Sequence, residues 1–339
     1  MTDPEQFYYT PNEPLPRPPL SVIAKHLFLL ALTFCTAMIA GALFPFGRID
    51  TLPEADPQTW PEITNFVLSI PQKYVGLIGD AIYRLATDQS VFLDGITFAL
   101  SLLFILFCHE MGHYVACRVY RVDATLPYFI PTPPLVGPAG TFGAFIKIRS
   151  PIPSRKAVFD IGVAGPIAGF VALIPIAILG ITTMQVATAQ QVAGSSGLVF
   201  SDPLLMRLVA YFFGINLQFG MGNSFYFAAW VGLLVTALNL IPSGQLDGGH
   251  AVYAVFGEKV HKWTGRIAFP VMATLSFVGM YYYGSPSGLL IAIILFVMMR
   301  VGHPSPIDQA PLDAKRKFVA FLTLVIFILC FVPFPIQLS

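Results

Sequence analysis

His109, Glu110 and His113 stand together in the stretch FCHEMGHYVA, at the far end of fourteen uncharged residues, GITFALSLLFILFC. On an α-helix, residues four apart are about 400° and 6 Å apart, so both imidazoles leave one face. Two such ring nitrogens can hold one Zn²⁺ at about 2.0–2.1 Å. Glu110 follows the first histidine directly, close enough to reach a water on the metal without ligating it. A charge at membrane depth costs about 2.5–3.5 kcal/mol, and a satisfied metal site is one way to offset that cost. The bland alternative is a polar group snorkelling to the interface.

A catalytic zinc takes three protein ligands and keeps one position open. The third ligand must reach the same depth from another element. Asp247, in NLIPSGQLDGG, is the one acidic residue between Asp202 and Glu258. It follows an apolar run broken by Pro242 and by glycines at 244, 248 and 249. Irregular backbone at membrane depth is tolerated where it lines a cavity, so Asp247 is the expected third ligand. The competing reading is an interfacial Asp in an ordinary turn. Asn239 is the first candidate to donate to developing negative charge, while His250 reads as a hydrogen-bonded histidine without a chemical role.

The elements that must carry these residues are helices in a bilayer. The chain has 339 residues, 55% hydrophobic and 11% charged, against about 25% charged in soluble domains. Mean hydropathy is +0.71. A net charge of +1 and no basic block with interleaved aromatics argue against a nucleic-acid partner. Cys35, Cys108, Cys117 and Cys330 lie in apolar runs without paired spacing, as small embedded hydrophobes do. No internal repeat is visible.

A helical span needs about 20 apolar residues. Candidates are 27–46, 95–117, 161–181, 225–246 and 318–336, with two more between Arg266 and Arg300 around the turn GSPSG. The expected fold is an all-α polytopic membrane protein of seven transmembrane helices, with six as the alternative. A short membrane-associated β-element, GTFGAFIKI, follows a proline-rich segment between the second and third helices. Seven alternating spans with a cytoplasmic N-terminus put 15 of the 19 Lys and Arg inside, as the positive-inside rule requires. The first twenty-one residues read as a proline-rich cytoplasmic tail. Residues 22–91 form the first helix and an outer loop with an amphipathic stretch at 66–86, residues 92–256 a core, and residues 257–339 the last helices. The two long outer loops, 47–90 and 182–224, read as packing elements rather than lids.

HEMGH in one span and NLIPSGQLDGG in a later one together resemble the site-2 protease family of intramembrane metalloproteases. Asn239, Pro242, Asp247 and Gly248 fit that family's N-x-x-P-x-x-x-x-D-G stretch position by position. GPIAGF, at 165–170, is similar to the family's small-residue element, with Gly169 in its final slot. The resemblance covers about 92–256. It implies one Zn²⁺ per chain on His109, His113 and Asp247, with Glu110 as general base, and cleavage within or near the spans of single-pass membrane-protein substrates. It implies for Asn239 a contact to substrate backbone. The strand resembles the family's β-element, and Gly140, Phe142, Gly143 and Phe145 are the residues expected to clamp an unwound substrate by β-addition. The N-terminal composition suggests a bacterial plasma membrane, with the active site toward the cytoplasm. Two other classes share parts of the pattern: a catalytically inactive membrane adaptor and an ion-coupled transporter.

Overall fold

Prolines and caps set where the helices stop. The computed structural model describes residues 18–51, 58–186, 198–285, 287–298, 300 and 306–338, so most of the proline-rich tail lies outside the described residues. Ten α-helices occur among the described residues. Helix α1, Leu20–Ala42, begins after Pro18 and Pro19 and stops before Pro45. Helix α2, Trp60–Thr87, covers the amphipathic stretch at 66–86 and is opened by a capping box between Thr59 and Glu62. Helix α3, Gln89–Val119, is capped by Asp88 and carries the HEMGH stretch in its last three turns.

The proline-rich segment after α3 forms strand β1, Tyr128–Pro131, antiparallel to β2, Thr141–Phe145. Strand β2 lies within the 140–148 stretch and is shorter than it. It packs on α1, where Thr36 donates to the Gly140 carbonyl at 2.7 Å. His26 on α1 bonds through Nδ1 to the Pro127 carbonyl at 2.9 Å.

Helix α4, Arg155–Thr182, follows. Next come the two-residue strand β3 (Gln185–Val186), strand β4 (Leu198–Phe200), helix α5 (Leu204–Phe213) and strand β5 (Gly220–Met221). Strands β3 and β5 pair antiparallel. Helix α6, Ser224–Asn239, is shorter than the 225–246 run suggests: its apolar sequence continues, but Pro242 has no N–H to donate and Gly244 turns to φ +54. Asp247 does not trail that helix but opens a separate one, α7, Asp247–Phe256. Helices α8, Glu258–Tyr283, and α9, Ser287–Met298, flank the expected turn, with Gly284 left-handed. Helix α10, Ala314–Cys330, ends six residues before Ile336 because prolines 333 and 335 follow. Residues Ile336–Leu338 instead form β6, paired antiparallel with β4.

Among the described residues, α1, α3 and α4 are long and apolar enough to cross a membrane. The main core lies between α3, α4 and α6, where Leu102, Leu106, Leu173, Ala177 and Leu233 are buried. That packing puts the last turns of α3 against the first half of α4.

Candidate metal centre

His109, Glu110 and His113 all point into this contact and are 3%, 6% and 7% exposed. Asp247, first residue of α7, enters from the other side with its side chain 14% exposed. His109 Nε2 is 3.2 Å from His113 Nε2, 3.3 Å from Asp247 Oδ2, and His113 Nε2 is 3.4 Å from Asp247 Oδ1. Tetrahedral ligands at about 2.0–2.1 Å from one zinc stand roughly 3.3 Å from each other. Asp247 meets the two histidines through different oxygens, and one ligand atom from each of the three residues lies within 4.8 Å of the others, so the donor set has the chemistry that a zinc ion requires and is gathered closely enough to close on one.

Proton placement agrees. His113 Nδ1 is 2.7 Å from the carbonyl of Ile161 on α4. A carbonyl only accepts, so Nδ1 carries the proton, and Nε2 is the ring nitrogen left facing Asp247 and His109 to serve as a ligand. Glu110 stands slightly apart, its Oε1 4.0 Å from His109 Nε2. Its carboxylate lies beside the backbone amide of Ile146, just past β2. Asn239, the last residue of α6, brings Nδ2 to 3.3 Å from His109 Nε2.

Small residues on α4 make this approach possible. A Cβ on Gly165 would stand 2.1 Å from His113 Nε2, and one on Gly169 would stand 3.0 Å from His109 Cβ. One turn earlier, a Cβ on Gly162 would meet His250 Cβ at 2.7 Å, so His250 packs behind Asp247 against the same helix.

The expected clamp residues divide. Phe142 and Phe145 are exposed, and Gly143 faces open space at φ +93. Gly140 instead closes the turn, its carbonyl accepting from Thr36 and from the Thr132 N–H. Ring stacking of Phe145 on Tyr128 holds the hairpin. The backbone of Lys147 exchanges bonds with Thr125, N–H to Oγ1 and C=O from N–H. By the twofold alternation of a strand, Ala144 and Ile146 turn their amides the other way, that of Ile146 to the side of Glu110. Three contributors were invisible in sequence: the Ile161 carbonyl, the Ile146 amide and the fit of Gly165 against His113. Backbone groups carry no sequence signature, and only the GPIAGF spacing hinted at the third.

Residues 97–283 match the model of peptidase family M50. The chain belongs to peptidase family M50. The site-2 protease resemblance drawn from the two motifs led to the same family. Among curated relatives, a protein named probable zinc metalloprotease EGY1, chloroplastic, from Arabidopsis thaliana is 28% identical over 241 residues, which is 69% of this chain and 42% of that protein. The Oryza sativa subsp. japonica protein of the same name is 29% identical over 248 residues, covering 69% and 40%. The protein named probable zinc metalloprotease EGY2, chloroplastic, from Oryza sativa subsp. indica is 26% identical over 288 residues, covering 80% and 48%. The chain thus spans less than half the length of these relatives. No solved structure matches it.

Proposed function

We propose that this M50 chain is a zinc-dependent intramembrane endopeptidase, with His109, His113 and Asp247 holding the metal and Glu110 acting as general base. The observation that carries the reading is that His109, His113 and Asp247, from two separate helices, bring one ligand atom each within 4.8 Å of one another. A zinc ion held by these residues would supply Lewis-acid polarisation of a carbonyl and lower the pKa of water toward neutrality. Glu110 takes the proton of the attacking water and passes it to the leaving amine. Asn239 steadies the developing charge or the substrate backbone, its amide facing the same space. Burial of the three residues on α3 excludes bulk water and strengthens each of these interactions.

A transmembrane substrate hides its carbonyls in its own helix, so it must unwind before hydrolysis. The outward edge of β2, from Phe142 to Ile146, runs toward Glu110 and offers backbone donors to an extended segment. We assign single-pass membrane proteins as substrates on this basis, with Phe142, Gly143 and Phe145 on the clamp and Gly140 anchoring it to α1.

Helices α6, α8, α9 and α10 complete a seven-span bundle with α1, α3 and α4, with β1 and β2 at its cytoplasmic rim. The Lys and Arg distribution supports an N-terminus and active site on the untranslocated face. That face is the cytoplasmic one in a bacterial plasma membrane, the location suggested by the N-terminal composition. The three plant relatives carry chloroplastic in their names, and the same charge rule then refers to the chloroplast membrane facing the site of insertion.

The test uses the purified chain and its Glu110→Gln variant, with zinc per chain by elemental analysis and a panel of single-span segments as substrates. One zinc in both forms, with cleavage by the parent alone, is the expected result. Zinc in both with no cleavage by either would favour the inactive-adaptor reading, and no zinc in the parent would overturn the metal site.

A further inference from the structure

The segment before α10 and its first turn fold over the ends of α3 and α4, outside the stretch that matches the M50 model. Asp308 exchanges backbone hydrogen bonds with the residues leading into α4: Arg155 N–H donates to its carbonyl at 2.8 Å and its own N–H donates to Pro153 at 3.0 Å. This brings Arg316 against Asp160. Arg316 Nη2 donates to Asp160 Oδ2 at 2.7 Å and Nε to Oδ1 at 3.0 Å, a two-pronged pair. The same Nη2 lies 3.0 Å from the hydroxyl of Tyr120, the C-cap of α3, and that hydroxyl donates to Asp160. Asp313 caps α10 and holds the other end of the guanidinium. Both side chains of the Arg316–Asp160 pair are mostly covered, 26% and 29% exposed.

Asp160 directly precedes Ile161, whose carbonyl orients His113. Two successive residues of α4 therefore grip α3, one at His113 and one at Tyr120, about two turns further along. The fit between them has no slack, because Gly165 leaves no room even for a methyl group beside His113. We infer that Arg316 is a positioning residue for the metal centre: by holding Asp160 on Tyr120, it sets the register of α3 on α4 that keeps His113 aimed at the metal. Without the guanidinium, a partly covered carboxylate keeps one neutral donor and turns toward water. The Tyr120 link then loosens, and with it the Ile161–His113 bond. Position 316 thus couples the C-terminal helix to zinc retention.

The inference rests on His113 being a zinc ligand, and the test separates the two. Zinc release from the full-length, zinc-loaded chain to a chromogenic chelator is timed for the parent, Arg316→Gln, Arg316→Lys, Asp160→Asn and Leu312→Ala. Leu312 is buried in the same segment and touches none of the polar cluster's hydrogen bonds, so its truncation reports loosened packing alone. Arg316→Gln and Asp160→Asn should each release zinc about 10-fold faster, the lower end of what outer-shell changes cost a metal site. Arg316→Lys should lie between them and the parent, and Leu312→Ala should match the parent. Cobalt-loaded protein should show the same order in the intensity of its visible bands. Release within about 2-fold of the parent in both Arg316→Gln and Asp160→Asn overturns the inference, as does equal acceleration in Leu312→Ala. If Arg316→Gln does not fold, Asp160→Asn decides. A parent without zinc overturns the metal reading itself, and this one with it.

Discussion

Gly165 on α4 and the imidazole of His113 on α3 are in direct contact, such that a Cβ at position 165 would stand 2.1 Å from Nε2. The nitrogen placed to hold the metal is thus the atom that any side chain at 165 would displace. Gly165→Ala should cost at least about 100-fold in zinc affinity, the upper end of outer-shell effects, because the clash falls on the ligand atom itself. Competition titration against a chelator of known affinity measures this. Affinity equal to the parent's would mean that His113 Nε2 does not face the ion.

Asn239 offers a way to separate two roles. If its amide stabilises developing charge, Asn239→Ala should lower kcat by about 100-fold or more, the usual effect of losing such a donor. A raised KM at unchanged kcat would assign the amide to substrate backbone instead. Zinc content should equal the parent's in either case, since the atom facing His109 is an amide nitrogen, which donates hydrogen bonds and does not ligate a metal.

Proline distinguishes the two edges of β2. Ala144 turns its N–H away from β1, so Ala144→Pro removes a donor that only an added strand would use. Cleavage should fall at least 10-fold while zinc content and thermal stability stay near the parent's. Phe145→Pro faces the pairing with Tyr128 and should destabilise the hairpin as well. Full cleavage by Ala144→Pro would remove β-addition from the proposal.

Chelation should stop cleavage and added Zn²⁺ should restore it, with little loss of helix content by circular dichroism. The reason is that α3, α4 and α6 share a continuous core through Leu102, Leu106, Leu173 and Leu233, which does not depend on the ion. Collapse of helicity on chelation would show that the ion is structural, as in small domains that fold around their metal.

How much of this was written in the chain can be read element by element. The HEMGH spacing put two imidazoles and a carboxylate on one helix, since four residues and one helical turn nearly coincide. Asp247 followed from being the lone acid in a broken stretch, and the turn at GSPSG from its Gly and Pro. Helix ends were less legible: the apolar run to Leu246 reads as one span, yet Pro242 and Gly244 stop α6 at Asn239 and leave Asp247 to open its own helix.

The sequence by itself determined which side chains could donate to a metal and which runs are apolar enough to form helices, because these depend on residue type and local periodicity. Only the tertiary structure decided which backbone groups finish the site. The Ile161 carbonyl on His113 and the Ile146 amide beside Glu110 join residues 48 and 36 positions apart, and the side-chain grip of Arg316 on Asp160 spans 156. Carbonyls and amides are the same at every position, so only the packing of α3 on α4 and the path of the chain over them select which ones are used.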